Sequence, residues 1–387
     1  MNAELTRRQF LSAAALPAIA RASSAQQRVL VVVQLAGGND GLNTVVPYED
    51  DIYARGRTTL RLTAKDVLKI GNGLGFHPAM GSFERLFKDG HLSVVHGVGY
   101  PAMHRDHNAG MRIWQTANTD AAAEHSGWLG RAADQASDVY SGAVPAVFAG
   151  NIPQPLSIQA RQTIVPSVHT LADWTFPGLS SPPPSRANPL LKAAHRITER
   201  GLADAAKCAG SKSGWNYPQY SLAQSLRTVA NLIRADIGIR VFLAEQGGVS
   251  PGGFDNHANQ AGNHAVSLRE LAESIGAFCG HLAHDGLLDR VLLMTYSEFG
   301  RTLSENGRHG TGHGAAAPVF VAGGKVMGGF VGAHPSLSDL EGTGDNAAPK
   351  ASLDFRSLYA TALEEWLGIP AAPILGKPFP SAGVLKS

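Results

Sequence analysis

Six stretches of the chain are mainly apolar, without alternation: Val29 to Leu35, Leu92 to Val98, Val144 to Phe148, Ile239 to Leu243, Val291 to Tyr296 and Pro318 to Val321. A strand with one wet face alternates apolar and polar residues. Runs that are apolar throughout suit strands covered on both faces, as in a mostly parallel sheet between helical layers. Between these runs the period changes. Leu222, Leu226, Val229 and Ile233 recur at helical spacing, with Ser221 placed as an N-cap. Leu268, Leu271, Ile275, Phe278 and Leu282 mark a second helix that closes near Gly286. From Asp354, a good N-cap, Phe355, Leu358, Tyr359, Leu363 and Trp366 share one face until Gly368, with Pro370 beyond. Strands alternating with helices predict a three-layer α/β/α domain around one mostly parallel sheet.

The pattern fails in two places. Residues 150 to 220 are irregular and hold Ser180-Ser181-Pro182-Pro183-Pro184-Ser185, a segment that reads as extended loop. No shift in composition marks a linker, so this region reads as an insertion in a single domain spanning 26–387. At the other place, Thr6-Arg7-Arg8-Gln9-Phe10-Leu11 precedes a short apolar segment from Ala13 to Ala20 and then small residues. That order describes a cleaved export signal over residues 1–25, too short for a stable membrane anchor. The paired arginines resemble the twin-arginine signal, whose machinery would be a partner during export of the folded chain. The mature protein is then expected in the periplasm or outside the cell.

Composition narrows the partners. Over 387 residues the formal net charge is +2, with Lys and Arg scattered. Nothing in this balance calls for nucleic acid or an anionic membrane surface. Two cysteines, Cys208 and Cys279, cannot form a framework or a Cys-based zinc site. They either bridge in an oxidising compartment or remain as buried thiols. Fifteen histidines keep metal chemistry open.

In open α/β sheets ligands collect outside the carboxyl ends of the strands. The residues just past each expected strand are therefore the candidates for chemistry. The first strand runs into Gly37-Gly38-Asn39-Asp40-Gly41, and the second into His104-Arg105-Asp106-His107. A later strand leads to Phe254-Asp255-Asn256-His257, another to Ser297-Glu298-Phe299-Gly300-Arg301, and Gly312-His313-Gly314 precedes the last. Carboxylates and imidazoles thus converge on one edge from five distant places. Such an N/O donor set suits zinc, manganese or iron better than calcium. Arg301 could grip an anion bidentately or pair with a carboxylate.

These segments are familiar together. GGNDGLNTVVPY (37–48), HRDHNAGMRIWQTA (104–117), GWLGR (127–131), GGFDNHANQ (252–260), TYSEFGRTLSENG (295–307), GTGHGAAAPVFVAGG (310–324) and DFRSLYATALEEWLG (354–368) resemble the exported family called domain of unknown function 1501. The order of motifs is more distantly similar to the alkaline phosphatase and sulfatase superfamily. That resemblance implies an alkaline-phosphatase-like fold and one or two divalent ions, zinc or manganese. It makes Asp40, Asp255, His257, Glu298 and His313 metal ligands. The implied activity is hydrolysis of a small anionic phosphate or sulfate ester, with His107 as general acid or base or a further ligand. Arg301 and Asn39 would hold the ester's oxygens. Two departures stand out. No Ser or Thr nucleophile has an equivalent near Arg105-Asp106-His107, and Gly312 stands where relatives carry Asp. An ion that lowers the pKa of water toward about 7 would let such a site work without a protein nucleophile. The alternative is a non-catalytic periplasmic binding or assembly protein on the same scaffold.

Overall fold

Val29–Leu35 is buried along its whole length because it runs through the middle of the sheet. Its two faces go to different cores. Val31, Val33 and Leu35 pack with Leu226, Val229, Leu271 and Ile275 on one side. Leu30 and Val32 pack with Trp114, Trp128, Leu358 and Leu363 on the other. Burying one Val or Leu side chain stabilises by roughly 1.5–3 kcal/mol, and a polar residue on either face is costly unless hydrogen-bonded, as Gln34 is by Gln115 and Tyr296. This is the physical reason the run shows no alternation. In this computed structural model the described residues are 28–120, 124–136, 144–174, 189–247 and 253–386. The expected export signal and the Ser180–Ser185 segment lie outside them.

Among the described residues the main sheet contains nine strands: β1 (Val29–Leu35), β2 (Leu92–Gly99), β3 (Ala146–Ala149), β4 (Ser167–Val168), β5 (Val241–Gln246), β6 (Val291–Ser297), β7 (Ala317–Gly323), β8 (Gly329–Val331) and β9 (Leu353–Asp354). Their spatial order is β8-β2-β7-β6-β1-β5-β3-β4, with β9 also paired to β2. β7 runs antiparallel to both its neighbours, and the remaining pairings are parallel. The register sets Leu35 opposite both Gln246 and Ser297. Three parallel strands therefore end side by side, and the loops that leave them share one edge.

The helices keep the predicted faces with shifts at their ends. Ser221–Ala235 begins with Ser221 already helical; Tyr220 holds the cap position and no side chain bonds there, which corrects the expected cap. Gln260–His284 is one 25-residue helix. Asp354 caps as expected, accepting the Arg356 N–H at 2.9 Å. The helix it opens, Phe355–Ala360, widens to π geometry over Thr361–Leu367 and ends at Gly368 with φ +68°. The irregular region holds more order than its composition indicates. Within it, β4 extends the sheet and Pro189–Gly210 forms a 22-residue helix. Cys208 and Cys279 are both buried free thiols, so the bridge is not made. Among the described residues no helix is long and apolar enough to cross a membrane.

Candidate metal centre

The loop after β5 carries Asp255 and His257, and the short strand Thr311–His313 ends on His313. His107 opens the helix His107–Thr116, whose N-cap Asp106 accepts the Ala109 N–H at 3.0 Å. One donor atom from each of His107, Asp255, His257 and His313 lies within 4.8 Å of the others. Asp255 Oδ1 stands 3.1 Å from His257 Nε2, 3.4 Å from His107 Nε2 and 3.7 Å from His313 Nε2. His257 and His313 Nε2 are 2.8 Å apart. A tetrahedral zinc with bonds of about 2.0–2.1 Å keeps its ligand atoms about 3.3 Å apart, inside this spread. The residues fit a divalent ion.

The outer partners of the rings support the same reading. His313 Nδ1 lies 2.6 Å from the Arg105 carbonyl, which can only accept, so Nδ1 carries the proton and Nε2 is a lone pair in the neutral ring. His107 Nδ1 donates in the same way to Glu298 Oε1 at 2.8 Å. His257 is hydrogen-bonded to the Thr311 backbone. At 2.8 Å the facing Nε2 atoms of His257 and His313 need one proton or one cation between them. Imidazoles whose far nitrogens are tied to carbonyls or carboxylates are the usual surroundings of a metal ion.

Charge favours the ligating forms. Burial, and after it the nearby Arg301, holds His257 below the ordinary histidine range. Burial also lowers His313, against the Arg105 hydrogen bond. His107 moves upward because Glu298 accepts its hydrogen bond. Burial would raise the Asp255 carboxyl, yet the Arg301 hydrogen bond and charge bring it below the usual range. The His107, Asp255 and His257 side chains are 35%, 47% and 35% exposed, which leaves one side of the group open to an incoming molecule.

The other residues expected at the site have different roles. Glu298 is buried behind His107 and also accepts the Gly37 N–H at 2.8 Å. Arg301 is buried and its donors are taken: Nε by the Gly38 carbonyl at 2.7 Å, Nη1 by Thr311, and Nη2 by Gly37, Phe254 and Asp255 Oδ1. It pairs with a carboxylate and clamps the loop rather than facing solvent. Asn39 turns inward, its Oδ1 3.0 Å from both Thr44 Oγ1 and His264 Nε2. Asp40 stands apart from the four-residue group. Both its oxygens meet Arg57, at 2.5 and 2.9 Å, and Gln260 donates to one of them. Burial opposes that charge, but Arg57 brings the carboxyl down to about 2.

Two glycines make room for the loop that carries Asp255 and His257. A Cβ on Gly37, whose φ is +116°, would collide with the Asp255 backbone nitrogen. A Cβ on Gly310 would collide with the His257 carbonyl carbon. Only glycine lets these backbones approach so closely. Arg57, Gln260 and His264 were not legible as partners of the first loop. Arg57 sits in Ala54-Arg55-Gly56-Arg57-Thr58, which carries no motif, and it reaches Asp40 only through the fold.

The chain belongs to the DUF1501 family, described as a protein of unknown function, whose model matches residues 27–370. No curated protein matches. The solved structures it is similar to include PsFucS1 sulfatase from Pseudoalteromonas sp., at 10% identity and TM-score 0.42, covering 99% of this chain and 77% of that one. The C-terminal periplasmic domain of EcEptC from Escherichia coli in complex with Zn is similar at 11% identity and TM-score 0.39, covering 76% and 73%. Alkaline phosphatase from the Antarctic bacterium TAB5 is similar at 10% identity and TM-score 0.38, covering 79% and 93%. Likeness at this level carries no functional argument, which has to come from the site itself.

Proposed function

We propose that this chain is an exported hydrolase of phosphate or sulfate esters that depends on a divalent ion, zinc by its donor set. The observation that carries the reading is the group of His107, Asp255, His257 and His313 around one point, with an exposed side. Asp255, His257 and His313 hold the ion, and three protein ligands with an open fourth position are the pattern of catalytic zinc. Such an ion, when bound, supplies a Lewis acid and lowers the pKa of water toward about 7. His107 Nε2 faces the open side and moves the proton, while Glu298 across the ring fixes its tautomer and supports its charged form. Arg301 positions Asp255 rather than gripping the ester. Export by the twin-arginine route is part of this proposal, and N-terminal sequencing of the mature secreted chain tests it.

A specific observation favours a second reading. Every Arg301 nitrogen is hydrogen-bonded within the protein and the Asn39 carbonyl oxygen is taken by Thr44 and His264, so neither side chain is held free to grip an anionic substrate. A metal-holding binding protein without turnover would have the same geometry. Elemental analysis of the mature protein after dialysis without chelator, then assays on p-nitrophenyl phosphate, bis-p-nitrophenyl phosphate and p-nitrophenyl sulfate, separate the two. The hydrolase reading expects bound zinc, turnover lost in His107→Ala with the metal retained, and both lost in His313→Ala. Bound zinc without turnover supports the binding protein, and a metal-free protein that takes up no zinc overturns both.

A further inference from the structure

A second feature lies away from the metal centre, between the helices Gly81–Lys88 and Gln260–His284. There a cleft of about 450 Å³ is lined by His77, Ser82, Arg85, Arg269 and Glu273, among others. His77 is buried, with only 7% of its surface exposed. Its Nδ1 accepts the Ala79 N–H at 3.1 Å, which leaves the proton on Nε2. Nε2 has no partner among the described residues, yet it is not one of the atoms sealed from solvent. The ring lines the cleft, so the structure presents one largely buried, unused N–H donor among its lining residues. Burial pushes His77 down to about 4, so the ring stays neutral and this donor persists at ordinary pH.

The walls add two arginines and one carboxylate. Met80 at the start of Gly81–Lys88 offers no side-chain cap, and Gly81 and Ser82 of its first turn line the cleft. Arg85 reaches Ser82 Oγ at 2.9 Å on the same turn. Arg269 lines the cleft from the facing helix, is exposed, and makes no ion pair among the described residues. The carboxylate on the wall, Glu273, accepts the Tyr220 hydroxyl at 3.0 Å instead of pairing with either arginine. Glu84 is engaged with Lys88 at 2.5 Å.

We infer that this cleft binds a tetrahedral oxyanion, phosphate or sulfate, free or as the end group of a larger molecule, through His77 Nε2, Arg85 and Arg269. The inference is independent of the hydrolase reading, because none of these residues belongs to the metal group. Calorimetric titration of inorganic phosphate and of sulfate into the purified, chelator-treated mature protein tests it. Saturable one-site binding is expected, weakened at least tenfold in Arg269→Ala and in Arg85→Ala and unchanged in His313→Ala. Both arginines are exposed, so these variants should fold normally, and thermal denaturation checks that they do. His77→Phe should also abolish binding while circular dichroism stays native. No saturable binding, or binding that survives both arginine changes, overturns the site. Binding lost only in His313→Ala assigns the anion to the metal group and overturns it as well. A dialkyl phosphate probe, diethyl phosphate, distinguishes the sources: equal affinity points to a diester group of a larger molecule, and loss of affinity to the free dianion or a terminal monoester.

Discussion

Asp40 and Asp255 both come after central strands, both lie beside an arginine, and they do opposite work. Asp40 is sealed, with both oxygens spent on Arg57 and Gln260. Asp255 is about half exposed and gives one oxygen to Arg301 and to three imidazoles, leaving room for an ion. The difference teaches that a carboxylate at a strand end is a ligand only where its lone pairs are not already used. Arg57 turns the first into a structural clamp. Arg301 orients the second without closing it.

The largest way to break this comparison is Arg57→Ala. It strands a buried carboxylate and should cost about 3–5 kcal/mol in denaturant unfolding, with zinc still bound by the protein that remains folded. Preserved stability would mean Asp40 is not clamped. Next, His313→Ala or Asp255→Ala should weaken zinc binding by about a hundredfold or more in competition titrations, with little change in unfolding midpoint. A large loss of stability with metal retained would reverse the roles assigned to the two regions. A smaller effect comes from acid. The folded Asp40 carboxyl lies at about 2, below the ordinary 3.8. Its contribution is therefore full above pH 3.8 and lost as pH falls from there through 2. The loss should be about 2 kcal/mol, on the order of the shift, and Asp40→Asn should flatten this part of the pH–stability curve. Smallest of all, Glu298→Gln should leave zinc bound and lower turnover by about tenfold through a less firmly held His107.

Much of the fold was legible because buried parallel strands cannot hide. β1 and β6 begin and end almost where their apolar runs do. The helix Pro189–Gly210 escaped sequence reasoning because the Pro-rich segment before it dominates the pattern of that region. The candidate site was half legible. His107, Asp255, His257 and His313 stood in loops at one expected edge, and the structure brings their donor atoms together. Glu298 was placed at the right edge but sits behind a ring, and Asp40, Asn39 and Arg301 turn inward.

The sequence by itself determined the layered α/β class, the parallel centre of the sheet and the edge on which acids and imidazoles gather. Those depend on local period and chain order, which one chain carries in full. Only the tertiary structure decided which carboxylate is free. That choice rests on Arg57, 17 residues from Asp40, and on Arg301, 46 residues from Asp255. Whether an oxygen is spent on a guanidinium or left for an ion is a matter of ångströms between distant segments, and no local pattern encodes it.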